Sequence, residues 1–454
     1  MSQLTGLPVG ASGFIEPKRE RISGFWILLA LFILGAATVS PVKGWSVIVH
    51  GMGFVLAFAY LIETLRGRLH VAPEMFLYLG WITWCLAGSF EHPSAFYYML
   101  IFTTAFQIFV LAVIVAGFTD NRRVMSLNML AFLLAVVILG TYSYATGEYR
   151  MAESETIRLS GLAVNANNFG WIMLLAFVAL AYLWMLPTRR KWLKYGVCLV
   201  AFTAAGVSEL LSFSRTHIVG MAFFVVVWLW LCYRKVLRRS LVTVLLLAGV
   251  LILLTIVGYM LFEQRGGQSR LDEVRDVLTG RLTSGSVYIR LMNFKYGWDM
   301  LWEHPLTGGG LQSFLFRAPL IHIQAHNEFV EIASGTGLPG FFLYFGILWV
   351  LWRRGGKLVK YADTPFTAQV GGLTRALVLT VLVTDLGRWN YSDKPAWIIL
   401  GSFIGFTYAS WRSLCQRAAP QPTEAGASGV PASRLRAGPM SGRPGLSVPG
   451  QATG

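Results

Sequence analysis

Residues 96–118 read FYYMLIFTTAFQIFVLAVIVAGF, an unbroken run without a single charged side chain. A run of this length is what an α-helix needs to cross the hydrocarbon core of a bilayer. Only 13% of all residues are charged and 55% are hydrophobic, which argues against a water-soluble globular protein. The sequence therefore predicts an all-α, polytopic membrane protein.

Comparable apolar runs recur along most of the chain, and we count about twelve predicted transmembrane helices. The runs lie near residues 25–40, 45–65, 75–90, 96–118, 124–146, 169–186, 192–211, 218–233, 241–262, 338–352, 374–386 and 396–414. The predicted organisation is a cytoplasmic segment (1–22), helices 1–9 (23–262), a long periplasmic loop with amphipathic helices (263–337), helices 10–12 (338–414) and a disordered cytoplasmic tail (415–454).

Basic residues cluster in alternate short loops, for example at 189–194 and 353–360. Lys and Arg beside a span are retained on the cytoplasmic side, so both termini are predicted to be cytoplasmic. The net charge of +16 then reflects topology and does not indicate nucleic-acid binding. The first 22 residues lack the apolar core of a cleavable signal. The four cysteines fall in spans or on the cytoplasmic side, so we expect no disulfide framework.

The loop at 263–337 carries basic and acidic residues in nearly equal number, so any anion it binds must be held by particular arginines. Two amphipathic helices are predicted within it. The first has an apolar stripe at Leu271, Val274 and Leu278 behind a possible N-cap at Ser269. In the second, an apolar stripe at Val287, Leu291, Phe294, Trp298 and Leu301 leaves Arg290, Asn293 and Gly297 on another face. The glycines at 308–310 then permit close backbone approach.

Several short motifs occur in order in and before this loop. They are RLSG (158–161), NANN (165–168), SFSRT (212–216), Trp298 with HPLTGGG (304–310), AHN (325–327) and GTGLPG (335–340). Together they resemble the O-antigen ligase and O-antigen polymerase family of polyprenol-dependent membrane glycosyltransferases. The family pattern often has Pro where this chain has Ala166, so the turn there departs from it.

The resemblance implies transfer of a saccharide from an undecaprenyl-pyrophosphate-linked glycan to a sugar hydroxyl of lipid A core or of a growing polysaccharide. It implies a multi-pass protein of the bacterial inner membrane with its active site facing the periplasm. The residues agree with this, because the chain has no Asp-x-Asp pair and no Walker-type phosphate loop that would hold a nucleotide. We therefore expect no cofactor, no metal and no nucleic-acid partner; besides donor and acceptor, the partner is membrane lipid.

His326 is the predicted general base, because imidazole titrates near neutral pH, and inversion at the anomeric carbon is expected. Arg215 and Arg290 are the predicted pyrophosphate clamp, since guanidinium groups bind phosphate oxygens bidentately. Asn327 is expected to orient the histidine or a sugar hydroxyl. The remaining predicted substrate-binding residues are Arg158, Asn165, Asn168 and Asn293.

Each of these residues also has a structural interpretation. Arg215 could pair with Glu209, and Arg290 could be a solvated charge. His322 and His326 have the spacing of two zinc ligands on a helix, but no convincing third ligand follows. Asp385 and Arg388 lie three residues apart and favour a surface ion pair.

Two functions from different classes remain open at this stage. The first is the glycosyltransferase, either a ligase to lipid A core or a polymerase. The second is a twelve-helix transporter or flippase of a lipid-linked saccharide, although the spans carry few central ionisable residues of the kind that transport routes use.

Overall fold

The computed structural model describes most of the helical core of the chain. The described residues are 24–38, 45–67, 69–146, 149–151, 157–159, 166–212, 214–237, 275–276, 279, 281, 286–317, 326–388 and 390–418. Four predicted segments lie outside them: the N-terminal segment 1–22, the span at 241–262, most of the first amphipathic loop helix and the tail beyond Ala418. All helices but the last turn of the final one belong to one compact unit, Met1–Leu414.

The described part of the chain is helical apart from one short hairpin. The helices are α1 (Gly24–Thr38), α2 (Trp45–Leu65), α3 (Pro73–Gly88), α4 (Ala95–Phe118), α5 (Arg122–Thr146), α6 (Ala166–Met185), α7 (Lys191–Ser212), α8 (Arg215–Leu237), α9 (Ser286–Glu303), α10 (Phe314–Arg317), α11 (Glu328–Tyr361), α12 (Pro365–Thr384) and α13 (Lys394–Ala418). Strands β1 (Tyr149–Met151) and β2 (Ile157–Leu159) pair antiparallel, with Arg150 opposite Arg158. The sequence did not predict this hairpin.

Within the described residues, seven helices are long and apolar enough to cross a membrane. They are α2, α4, α5, α6, α8, α11 and α12. The chain is thus a multi-pass helical protein, as predicted. The total of about twelve spans and the periplasmic side of the long loop stay predictions.

Helix α6 forms the centre of the bundle, and nearly nine-tenths of the residues in its apolar stretch are buried. It packs against α5, α7, α8 and α12, while α11 packs against α3 and α12. Lipid tails are as apolar as leucine, so the outer surfaces of such helices keep large exposed apolar side chains. Examples are Phe54 on α2 and Phe96 on α4.

A buried ion pair ties α11 to α3. Arg354 Nη2 lies 2.7 Å from Glu74 Oε2, and both side chains are almost completely buried. The Arg354 guanidinium also lies 5.1 Å from the centre of the Tyr408 ring on α13. A buried charge without a partner is costly, so this pair fixes how α3, α11 and α13 meet.

Helix α11 is broken at Gly337, whose φ of 66° no side-chain-bearing residue readily adopts. The amide of Leu338, freed by the break, donates to the carbonyl of Pro305 at 2.8 Å. The glycine run packs directly on the segment before the break, where Gly309 and Gly310 donate to the carbonyls of Ser334 and Gly335. A Cβ at Gly308 would collide with the backbone of Gly335 and Thr336. The close backbone approach predicted for the glycine run is therefore a contact with another segment of this chain, the start of α11.

Candidate active site

His326 lies in the turn that begins α11. Its φ is 50°, which lies in the left-handed region. Residues other than glycine rarely adopt this conformation, although histidine does so more often than most. His326 is exposed at the end of the bundle that also holds the α12–α13 loop. A strained backbone at an exposed, titratable residue is a feature often found at functional sites.

The two residues after His326 hold the turn in place. Asn327 is the N-cap of α11, because its Oδ1 accepts a hydrogen bond from the amide of Val330 at 3.1 Å. Its Nδ2 donates to the carbonyl of Leu386 at 3.3 Å. The amide of Glu328 donates to the carbonyl of Asp385 at 2.8 Å. The His326 turn is thus bound to the start of the α12–α13 loop.

The Glu328 carboxylate adds two further bonds to this anchor. Oε1 accepts from the Tyr344 hydroxyl at 2.6 Å, and Oε2 accepts from the amide of Asn390 at 2.7 Å. Asn390 Nδ2 in turn donates to Asp385 Oδ1. Burial, followed by the nearby charge of Glu328, raises the pKa of the Asp385 carboxyl well above its usual range.

The prediction of a surface ion pair between Asp385 and Arg388 was wrong. Both residues are buried, and the ion pair that Arg388 makes is with Asp393, at 3.4 Å. Asp393 also accepts a hydrogen bond from Trp171 Nε1 at 2.8 Å, and the Arg388 guanidinium lies 4.8 Å from the centre of the Trp171 ring. The loop folds inward because these polar groups satisfy one another against α6.

Arg290 lies on α9 within electrostatic reach of His326. Partial burial of the imidazole, and then the positive charge of Arg290, lower the pKa of His326 below its ordinary value. The charge of Arg290 is thus close enough to act on the imidazole of His326, while the catalytic roles of both residues stay predictions. Across the described part of the chain, Arg290 itself has no carboxylate partner.

Helix α9 buries only part of the predicted apolar stripe, because Leu301 is buried while other members of the stripe are exposed. Asn293 and Gly297 are buried, and a Cβ at Gly297 would collide with the side chain of Val330 on α11. The apolar residues Phe294 and Trp298 are more than half exposed. Asn293 is therefore enclosed at the α9–α11 contact, and its role as a sugar ligand stays a prediction.

Four predicted residues remain: Arg158, Asn165, Asn168 and Arg215. Arg215 is the first residue of α8 and Arg158 lies in β2, but the side chains of both, like the whole of Asn165, lie outside what the structure describes. The suggested pairing of Arg215 with Glu209 is therefore not tested. Asn168 is partly buried in the first turn of α6.

These segments nevertheless converge on one loop. Ser214, just before Arg215, bonds Asn167 at the start of α6 at 3.2 Å. Thr216, just after Arg215, packs beside Gly387, where an added Cβ would lie 2.9 Å away. Leu386, the neighbour of Gly387, is the residue that accepts from Asn327. The α12–α13 loop thus contacts both the start of α8 and the His326 turn.

Sequence reasoning missed this loop as the scaffold of the site. The available signal was the stretch DLGRWNYSDKP at 385–395, which is dense in polar and aromatic residues for a short connection between two apolar runs. The alternative of a zinc site at His322 and His326 is not tested, because His322 lies outside the described residues.

Comparison with known proteins gives one result. No curated protein matches the chain. Residues 202–345 match the family model described as O-antigen ligase, a range that contains Arg215, Arg290 and His326. This match supports the assignment of the chain to the O-antigen ligase and polymerase family, which implies a membrane glycosyltransferase acting on lipid-linked polysaccharide.

Proposed function

We propose that this protein transfers a saccharide from an undecaprenyl-pyrophosphate donor to an acceptor sugar hydroxyl, at the periplasmic face of a bacterial inner membrane. The observation that carries the proposal is the turn of His326, which hydrogen bonds fix to the α12–α13 loop and which leaves this histidine exposed. The positive charge of Arg290 also acts on its imidazole. The family match over the same segment supports the proposal.

His326 acts as the base. Its lowered pKa keeps the imidazole neutral at neutral pH, so a ring nitrogen can accept the proton of the acceptor hydroxyl. The acceptor oxygen forms a bond to the anomeric carbon as the bond from that carbon to the pyrophosphate oxygen breaks. Undecaprenyl pyrophosphate leaves with the electron pair, and attack from the opposite side inverts the configuration.

Arg290 and Arg215 hold the pyrophosphate. Arg290 is exposed and, among the residues described, is not neutralised by a carboxylate, so its charge is available to an anion. Guanidinium groups stabilise the negative charge that develops on the leaving group. This charge stabilisation needs no metal ion and no cofactor.

Asn327 positions the base. Both ends of its side-chain amide are engaged, one with Val330 and one with Leu386. This favours the orienting role over direct contact with sugar. Arg158, Asn165 and Asn168 are proposed to line the entrance for donor or acceptor.

The test is transfer by the purified protein in lipid nanodiscs, with undecaprenyl-pyrophosphate glycan as donor and either lipid A core or polysaccharide as acceptor. We expect a new glycosidic product, with and without a chelator. His326→Ala should reduce the rate by about 10²- to 10⁴-fold, the usual contribution of a general base. His70→Ala is the matched control, because His70 is an exposed histidine remote from this turn in sequence and on the predicted cytoplasmic side.

The acceptor that yields product distinguishes ligase from polymerase. Lipid A core as the productive acceptor indicates a ligase, and growing polysaccharide indicates a polymerase. Movement of labelled lipid-linked sugar across vesicles without a new glycosidic bond would instead identify a transporter and overturn the proposal.

A further inference from the structure

Helix α9 carries a row of large apolar side chains on its outer surface. We call this row the outward stripe: Leu291, Phe294, Trp298 and Trp302, which are 42%, 55%, 52% and 60% exposed. Their spacing of three and four residues places them on one face of the helix. The Trp298 and Trp302 rings touch edge to face, with centroids 5.6 Å apart. Yet α9 is not among the helices apolar enough to cross a membrane.

The stripe cannot turn inward. On the other side of α9, Met300 is 5% exposed and packs with Phe314 and Val330. Gly297 lies so close to Val330 that no side chain fits between them. The stripe is therefore a fixed surface of the folded protein.

The end of α9 is tied to the end of a membrane span. Leu338, the first residue after the break in α11, donates its amide to Pro305, two residues after α9 ends. Leu306 is 65% exposed at this junction, and Leu338 and Phe342 continue the exposed apolar surface along the candidate span. The outward stripe thus leads, through Leu306, to the exposed apolar surface of a candidate membrane span.

Three of the four charged residues of α9 are arranged in a separate column. Lys295, Asp299 and Glu303 are exposed and four residues apart, on the flank between the stripe and the buried face. Lys295 and Asp299 carry opposite charges at the spacing of neighbours on a helix. A helix with one apolar face rich in tryptophan and one charged flank is typical of helices that lie in a membrane interface. A protein partner would have to cover both the apolar face and the charged flank.

We propose that α9 lies in the interface of the bilayer, with the outward stripe buried at the boundary between lipid headgroups and acyl chains. Tryptophan prefers this boundary, because its ring is apolar and its N–H is polar. Resting on the proposed function, this location places Arg290, on the edge of the same helix, at the height of phosphate groups. The pyrophosphate of a polyprenyl donor would meet the base there without leaving the membrane.

The experiment measures depth in the bilayer and needs no turnover. The full chain, with Cys232→Ser and Cys415→Ser to remove the two accessible cysteines, is reconstituted in phosphatidylethanolamine and phosphatidylglycerol nanodiscs. A nitroxide is attached at Phe294→Cys or Trp298→Cys, and at Asp299→Cys as the matched control on the charged flank. Accessibility to oxygen, which concentrates in lipid, is compared with accessibility to a water-soluble nickel chelate.

We expect the ratio of oxygen to nickel accessibility to be several-fold higher at positions 294 and 298 than at 299. Equal ratios at all three positions would overturn the proposal, because the stripe would then face water. Low accessibility to both reagents would mean that protein, such as a second copy of the chain, covers the stripe. Protection from nickel only after undecaprenyl phosphate is added would assign the stripe to the donor's chain instead of the bilayer.

The outcome is independent of catalysis. Adding His326→Ala to the labelled protein should leave the depth at position 294 unchanged even if transfer is lost. A protein that transfers sugar with a water-exposed stripe would refute the interfacial helix alone. A protein with a buried stripe and no transfer activity would refute the proposed function alone.

Discussion

The two ends of α11 hold two different kinds of buried polar cluster. Near its end, Arg354 and Glu74 form a direct ion pair in which each charge compensates the other. At its start, Glu328 is held by a tyrosine hydroxyl and a backbone amide, and the cluster supports an exposed histidine in a strained turn. The first arrangement joins helices. The second holds the turn of a histidine that we propose as the catalytic base, so here buried polar groups position an exposed side chain.

The largest effect is expected at the ion pair. Glu74→Ala leaves the Arg354 charge buried without its partner and should lower the free energy of unfolding by about 3–5 kcal/mol. Thermal unfolding in detergent measures this. Transfer per folded molecule should stay at the wild-type level, because the pair is remote in the fold from His326. The double variant Glu74→Met with Arg354→Met should recover most of the stability, and failure to do so would mean that the pair has a role beyond joining helices.

A smaller loss is expected at the start of α11. Tyr344→Phe removes the hydroxyl that bonds Glu328 and should cost about 1–3 kcal/mol, since a buried acceptor loses a partner. Here transfer should fall as well, because the His326 turn is less firmly held. Tyr361→Phe, at an exposed tyrosine on the same helix, is the control for stability. Unchanged transfer in Tyr344→Phe would mean that the Glu328 cluster does not support the site. The two ends of α11 would then not differ in function.

The pH profile tests whether the charge of Arg290 acts on His326. Arg290 disfavours the protonated imidazole, so Arg290→Gln should raise the pKa of His326. Activity depends on the neutral form, so the acidic limb of the rate profile should move to higher pH. Lys295→Gln on the same helix should leave the limb in place. If the acidic limb of the Arg290→Gln profile stays at the same pH, whatever the residual rate, the charge of Arg290 does not act on His326.

The smallest effect concerns strain in the turn. His326→Gly relieves a left-handed residue of its Cβ, and His326→Ala does not. We expect the Gly variant to be more stable than the Ala variant by about 1 kcal/mol, with both inactive. Equal melting temperatures would indicate that the turn relaxes when the imidazole is removed.

The sequence predicted the class of fold well, because long apolar runs translate directly into helices. Described helices lie at the predicted runs from 25–40 onward, and α9 lies where the second amphipathic pattern was found. The orientation of α9 was not predictable from that pattern. In a membrane protein, apolar side chains are satisfied by lipid as well as by protein, so the face that carries Phe294 and Trp298 need not be the buried one.

The candidate site depends on contacts of both kinds, local and distant in sequence. His326 lies in the AHN motif and Arg290 in a helical pattern, both local in sequence, and their roles remain proposals. The scaffold that holds them is not local: Glu328 is bonded by Asn390, 62 residues later, and Asp393 by Trp171, 222 residues earlier. Spacing along the chain carries no information about such contacts. From the sequence alone, the polar stretch at 385–395 was therefore interpreted as an ordinary loop with a surface ion pair.

The bonds that fasten the His326 turn to the α12–α13 loop use main-chain groups of that loop at Asp385, Leu386 and Asn390. Every amino acid other than proline supplies the same carbonyl and amide. The Leu386 side chain, 62% exposed beside the turn, is consequently open to mutational drift. Under the proposed function, substitution of this side chain would change the surface beside the acceptor while His326 keeps its place, and related enzymes could differ in acceptor in this way.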